Sequence, residues 1–163
     1  MNQPAPFAVL EPAQDGRQSE TALAIARGTA RFLRSLGFSC VSELPLPSGR
    51  RADLVAMNAR GEIWIVEIKS SLADLRVDQK WPDYRAHCDR LFFAFTRDLP
   101  CEIFPPDTGL IVADAYGAHL HCEAPEHRLP APTRKVMMLA FGLCAAQRLG
   151  RLSDPQGEIA LVE

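Results

Sequence analysis

The sequence predicts an α/β fold, a mixed central sheet flanked by helices and built in the order α-β-β-β-α-β. Three observations predict it. Apolar residues recur at helical spacing over residues 19–36. Three β-rich runs then follow one another between residues 38 and 69, the last two joined by a tight-turn sequence. After them come a helical stretch, a short continuous apolar run and a closing apolar helix.

In the first helix, Ala22, Ile25, Ala26, Ala30, Leu33 and Leu36 recur at helical spacing. Ser19 is placed to cap it and Gly37 to end it as a C′ residue. Glu20 sits in its first turn, beside the positive end of the helix dipole. The first strand runs from Phe38 to Leu46 and is stopped by Pro45 and Pro47. The second runs from Arg51 to Asn58, with Ala52, Leu54 and Ala56 alternating against Asp53 and Val55. The third, Glu62 to Lys69, contains the run IWIVEI. Asn58-Ala59-Arg60-Gly61 reads as a tight hairpin turn, so these strands form an antiparallel meander.

Residues 72–88 read as helical, with Pro82 making this a turn followed by a new helix near Trp81. The run from Leu91 to Thr96, LFFAFT, has the continuous apolarity of a buried central strand. Residues 97–108 form a Pro-rich loop, and Gly109–Ala113 with Ala118–Cys122 form a final hairpin around Tyr116-Gly117. The last helix, residues 133–149, is apolar almost all round, which suits either deep packing or an oligomer contact, with a homodimer as the expected form. Residues 1–16, with three prolines and no periodicity, read as a loose arm, and residues 17–163 as a single domain.

Composition narrows the function classes. A chain of 163 residues with 47% hydrophobic and 23% charged residues is an ordinary globular composition, which excludes disordered and collagen-like classes. The net charge of −2 excludes a wholesale basic coat for nucleic acid, so any DNA contact must be local. That charge is unevenly spread. Residues 50–97 carry nine basic and seven acidic groups, whereas residues 98–163 carry five and nine. No apolar run approaches the roughly 18 residues of a membrane-spanning helix. The first residues lack the pattern of a secretory signal. The five cysteines, odd in number and without a C-x-x-C pair, suit buried thiols in a reducing cytoplasm.

The chemistry concentrates on the second and third strands. Glu67 and Lys69 are two apart and point to the same face. Antiparallel pairing across the 58–61 turn brings Asp53 close to Glu67. Two neighbouring carboxylates repel each other unless a cation sits between them. A hard divalent ion, Mg²⁺ or Mn²⁺, is the natural one, since it takes oxygen ligands and only one or two protein carboxylates. The backbone carbonyl of Ile68 can add a ligand. Lys69 would orient or help deprotonate a water, or stabilise charge on a phosphate. The set reads as a phosphodiester-hydrolysis site.

Asp53, followed by Glu67-Ile68-Lys69, resembles the PD-(D/E)xK nuclease superfamily, the restriction-endonuclease-like fold, over roughly residues 19–97. Ala52 stands where a proline often precedes the Asp. The resemblance implies a first-helix glutamate that completes the metal site in the Holliday-junction-resolvase branch, and Glu20 occupies that place, with Glu43 a weaker rival. A closer resemblance is to the MmcB-like family of DNA-repair proteins, associated with tolerance of mitomycin C damage. It is carried by Gly49 to Leu54, Val66 to Ser71, Asp78 to Tyr84 and Cys88 to Ala94. It implies a DNA-repair role on damaged or branched DNA, alone or with other repair proteins. The protein is then either a metal-dependent deoxyribonuclease or a nuclease-fold accessory factor with little or no catalysis.

Around this centre, Arg50, Arg51, Ser70, Gln79 and Lys80 are candidate DNA-contacting residues, and Arg60, Arg76, Arg85 and Arg90 lie nearby in sequence. A solvated charged face accounts for the same residues. Trp81 and Tyr84, three apart, share a helix face that suits core packing better than base stacking. His119, His121, Cys122 and His127 form a cluster for which a polar hairpin edge is a simpler reading than zinc.

Overall fold

The Ser19 hydroxyl accepts a hydrogen bond from the Ala22 N–H at 3.1 Å and starts α1 (Glu20–Ser35) in the computed structural model, which describes residues 19–157. Gly37, at φ 86°, ends the helix in the left-handed region that favours glycine. The arm expected over residues 1–16 lies outside the described residues.

The three expected strands are β1 (Phe38–Pro45), β2 (Arg51–Asn58) and β3 (Ile63–Lys69). They pair antiparallel in sequence order. The turn between β2 and β3 closes because the Asn58 carboxamide oxygen accepts the N–H groups of Arg60 and Glu62, each at 3.0 Å, while Gly61 takes φ 78°. Two short helices follow, α2 (Leu72–Val77) and α3 (Trp81–Arg85), with Pro82 in the first turn of α3 where its missing N–H costs nothing. They carry the chain over to β4 (Arg90–Phe95), which pairs parallel to β3.

A 3-10 turn at Cys101–Ile103 leads to β5 (Gly109–Ala113), parallel to β4. Then β6 (Ala118–Cys122) turns back antiparallel. The result is a six-stranded mixed sheet in the order β1-β2-β3-β4-β5-β6, as the α-β-β-β-α-β reading requires.

Helices cover both faces. Ile25 and Leu33 of α1 pack on Leu54, Val66, Phe92 and Ile111. On the other face Tyr84 of α3 and Met137 and Phe141 of α4 (Ala131–Ser153) pack on Val55, Ile65 and Leu91. A third cluster joins Leu75 to Phe93, Phe95 and Phe104. Central strands with both faces covered explain why β4 is a continuous apolar run. At Gly28 the α1 backbone touches the β5–β6 turn. A Cβ there would lie 1.9 Å from the Asp114 carbonyl oxygen.

The last helix extends beyond the predicted 133–149 at both ends. Pro132 fits its first turn, and an exposed glycine such as Gly150 costs only about 1 kcal/mol in a helix interior, so the helix runs on to Ser153, with Asp154 as its C-cap. Nor is it buried all round. Met137, Ala140, Phe141 and Cys144 face the sheet, while Leu139, Leu143, Leu149 and Leu152 face outward. Among the described residues, no helix is long and apolar enough to cross a membrane.

Candidate functional site

The backbone register of β2 and β3 places Leu54 opposite Val66, so the next step outward sets Asp53 against Glu67. Here the side chains take over the bonds of the ladder. The Asp53 N–H donates to Glu67 Oε1 at 3.1 Å, and the Ile68 N–H donates to Asp53 Oδ2 at 2.8 Å. Glu67 is 4% exposed and Asp53 is half-buried. The two carboxyl groups are close neighbours, each accepting a backbone N–H from the other's strand.

Burial raises the pKa of both. For Asp53 the Ile68 N–H and the Lys69 ammonium work against that rise, and for Glu67 the charge of Asp53 adds to it, so Glu67 is held well above the ordinary range.

Lys69 points to the same face as Glu67, two residues along the strand. Its ammonium Nζ lies 2.5 Å from Asp78 Oδ2 and 5.9 Å from the centre of the Phe93 ring. Asp78 ends α2. Burial alone would raise its pKa, but the Lys69 hydrogen bond and the Lys80 N–H outweigh that and hold it below the ordinary range. Tyr84 closes the site from the α3 side, its hydroxyl donating to the Arg51 carbonyl at 3.3 Å. Burial and the nearby Glu67, Asp53 and Asp78 carboxyls push its phenol pKa upward. Three carboxyls therefore share one ammonium, which leaves an excess of negative charge to be met by a proton or a cation.

Asp53 and Ile68 open onto a cleft of about 490 Å³. One wall is Ser70, Ser71 and Asp74, at the start of α2. The other is Ser19, Thr21 and Ala22, at the N-terminus of α1. The positive end of a sixteen-residue helix thus shares the cleft with Asp53, which favours an anion there. Asp53 and Glu67 offer carboxylate oxygens of the kind a hard divalent ion takes, and Mg²⁺ needs only one or two protein carboxylates alongside its waters.

Glu20 is exposed on the first turn of α1, and although its neighbours line the cleft it does not join the pair. Among the described residues, no three His, Cys, Asp or Glu side chains gather to hold a metal ion, and this covers the His119, His121, Cys122 and His127 cluster as well. The Ser70 hydroxyl donates to Asp74 Oδ2 at 2.7 Å. Gln79 lines a separate cleft with Trp81 and Ile103, and Lys80 is exposed.

The arginines read as a groove lining are engaged elsewhere: Arg50 with Asp83 at 3.0 Å, Arg51 with Glu43 at 3.6 Å, and Arg85 with Asp107 at 2.8 Å. Arg90 donates to the Ala124 carbonyl and lies beside Glu62. Trp81 and Tyr84 belong to the core. Asp78 is the group that spacing missed as a partner of Lys69. It lies beyond α2, and only the return of the chain brings it there.

One solved structure, the SPO1766 protein of unknown function from Silicibacter pomeroyi, is similar at 42% identity over 88% of this chain and 98% of its own, with a TM-score of 0.83. No curated protein matches the chain. The family model of the DNA repair protein MmcB-like group matches residues 9–156, a span that contains the carboxyl pair, Lys69, Asp78 and every described strand, and the chain therefore belongs to the MmcB-like family of DNA-repair proteins.

Proposed function

We propose that this protein is a repair nuclease that hydrolyses DNA phosphodiester bonds at the Asp53–Glu67 cleft with the help of a divalent metal, Mg²⁺ or Mn²⁺. One observation carries the reading. Two carboxyls sit side by side, Glu67 buried and Asp53 lining an open cleft. Burying like charges together costs stability, so the arrangement calls for a role other than holding the fold. Asp53, Glu67 and the Ile68 carbonyl would hold the ion. When bound, it would polarise the phosphodiester and lower the pKa of a water.

The chain's own groups do the rest. The N-terminus of α1 attracts the phosphate into the cleft. Lys69, steadied by Asp78 and by the Phe93 ring, shares a strand face with Glu67, and its ammonium would stabilise the charge that grows on the phosphate oxygens. The Ser70 hydroxyl, already donating to Asp74, keeps that wall polar.

A second reading rests on the Lys69–Asp78 pair. A buried lysine held at 2.5 Å by a half-buried aspartate has less freedom to serve a substrate, which suits an accessory factor that binds DNA without cutting it.

The test is to offer the purified protein linear, nicked, branched and crosslinked DNA with Mg²⁺ or Mn²⁺, beside Glu67→Ala and Lys69→Ala. Cleavage by the wild type, reduced by at least about a hundredfold in either variant, is expected; removal of a transition-state group typically costs that much. Cleavage surviving in both variants would place the chemistry elsewhere. No cleavage on any substrate, with salt-sensitive binding, would favour the accessory reading.

A further inference from the structure

Helix α4 has a second face whose large apolar side chains the described residues leave exposed. Its buried side is Met137, Ala140, Phe141 and Cys144. At 100° per residue, the opposite side carries Met138, Leu139, Gly142, Ala146, Leu149 and Gly150, with Leu143 at its edge. The large side chains are well exposed: Met138 42%, Leu139 51%, Leu143 47% and Leu149 64%. Between Lys135 and Arg151 the sole charged residue is Arg148, and its guanidinium turns inward to the carbonyls of Ser42 and Glu43. An uninterrupted apolar face on the outside of a folded chain marks an association surface.

We propose that this face joins two copies of the chain, α4 against α4, antiparallel. The charge pattern selects the occupant. In the antiparallel register that sets Leu143 against Ala146, Leu139 meets Gly150, and Lys135 near the start of one helix comes to the end of the other, where Asp154 is the C-cap. Large residues fall on small ones, and the two-fold axis repeats the Lys–Asp pair at both ends. The helix dipoles then also run in opposite directions. Parallel pairing would set Lys135 against Lys135. A membrane surface would call for cationic residues along the rim, and this face carries a lysine at one end alone. One helix face is narrower than the roughly 800 Å² per partner of a standard interface, so the association is reversible.

The inference is independent of any cleavage chemistry, and its readout is mass. Sedimentation or light scattering of the full chain, across a wide concentration range, is expected to move from one chain at high dilution to two. Leu139→Arg and Leu143→Arg are expected to remain one chain throughout, with unchanged circular dichroism because both positions are exposed. Lys135→Glu and Asp154→Lys are each expected to weaken the dimer, and the two together to restore it. A mass of one chain at every concentration overturns the proposal. A dimer indifferent to Leu139→Arg and Leu143→Arg, or charge reversals without rescue, overturns it as well.

Discussion

Lys69 and Asp78 each keep 9% of their side-chain surface exposed, and their charged atoms lie 2.5 Å apart. Removing one partner of such a pair strands the other charge in a poor solvent, at a typical cost of 3–5 kcal/mol, so Lys69→Met is expected to destabilise the chain by roughly that amount. Replacing both, Lys69→Met with Asp78→Leu, is expected to return much of the loss. Urea unfolding of the two single variants and the double variant measures this. Strictly additive losses would show that the pair does not act as a unit. At this scale, sequence spacing reached part of the site. The hairpin turn at residues 58–61 fixes which residues of β2 and β3 face each other, and so the Asp53–Glu67 neighbourhood was legible. The Asp78 contact was not, because it depends on how α2 folds back over the end of β3.

Helix α4 is tied to the sheet by Asp89, a residue 2% exposed just before β4. Its carboxylate accepts the Ile63 N–H at 2.8 Å, the Leu129 N–H at 2.9 Å and two Arg134 bonds at 2.7 Å. Burial by itself would raise the Asp89 pKa, but the Arg134 bonds and the two N–H groups outweigh it and hold it below the ordinary range. A depressed carboxylate contributes stability that is full above the unfolded-state value of about 4 and is lost as pH falls through the lower folded value. Asp89→Asn is therefore expected to lower the melting temperature at neutral pH and to flatten its decline in acid. Thermal unfolding followed from neutral to acid pH reads both effects, and parallel curves for the two proteins would rule the assignment out. Element types came through from local pattern: caps at Ser19 and Gly37, period-two and continuous apolar runs, and Pro82 dividing α2 from α3. The ends of α4 did not, since Pro132 is accommodated in the first turn and Gly150 costs only about 1 kcal/mol inside the helix.

The molecule as a whole carries a net charge of −2, with the acidity concentrated after residue 97. The arginines around the cleft are largely paired with carboxylates, so DNA binding is expected to rest on the cleft and on a bound ion rather than on a broad basic surface. A ligand that binds the native state alone stabilises it by about 2.7 kcal/mol at a hundred times its Kd. Mg²⁺ is accordingly expected to raise the Tm of the wild type and to leave that of Glu67→Gln unmoved. An equal rise in both would place the ion elsewhere.

By itself the sequence determined the α/β class, the order of elements and the adjacency of Asp53 and Glu67. All three follow from short-range periodicity and from one tight turn. Tertiary structure alone decided that Lys69 leans on Asp78, that Glu20 stands apart from the carboxyl pair, that Arg50, Arg51 and Arg85 are paired with carboxylates, and that α4 shows an apolar face to solvent. Each of these depends on which distant segments share a dielectric environment, and such sharing is set by the packing of helices across the sheet rather than by spacing along the chain.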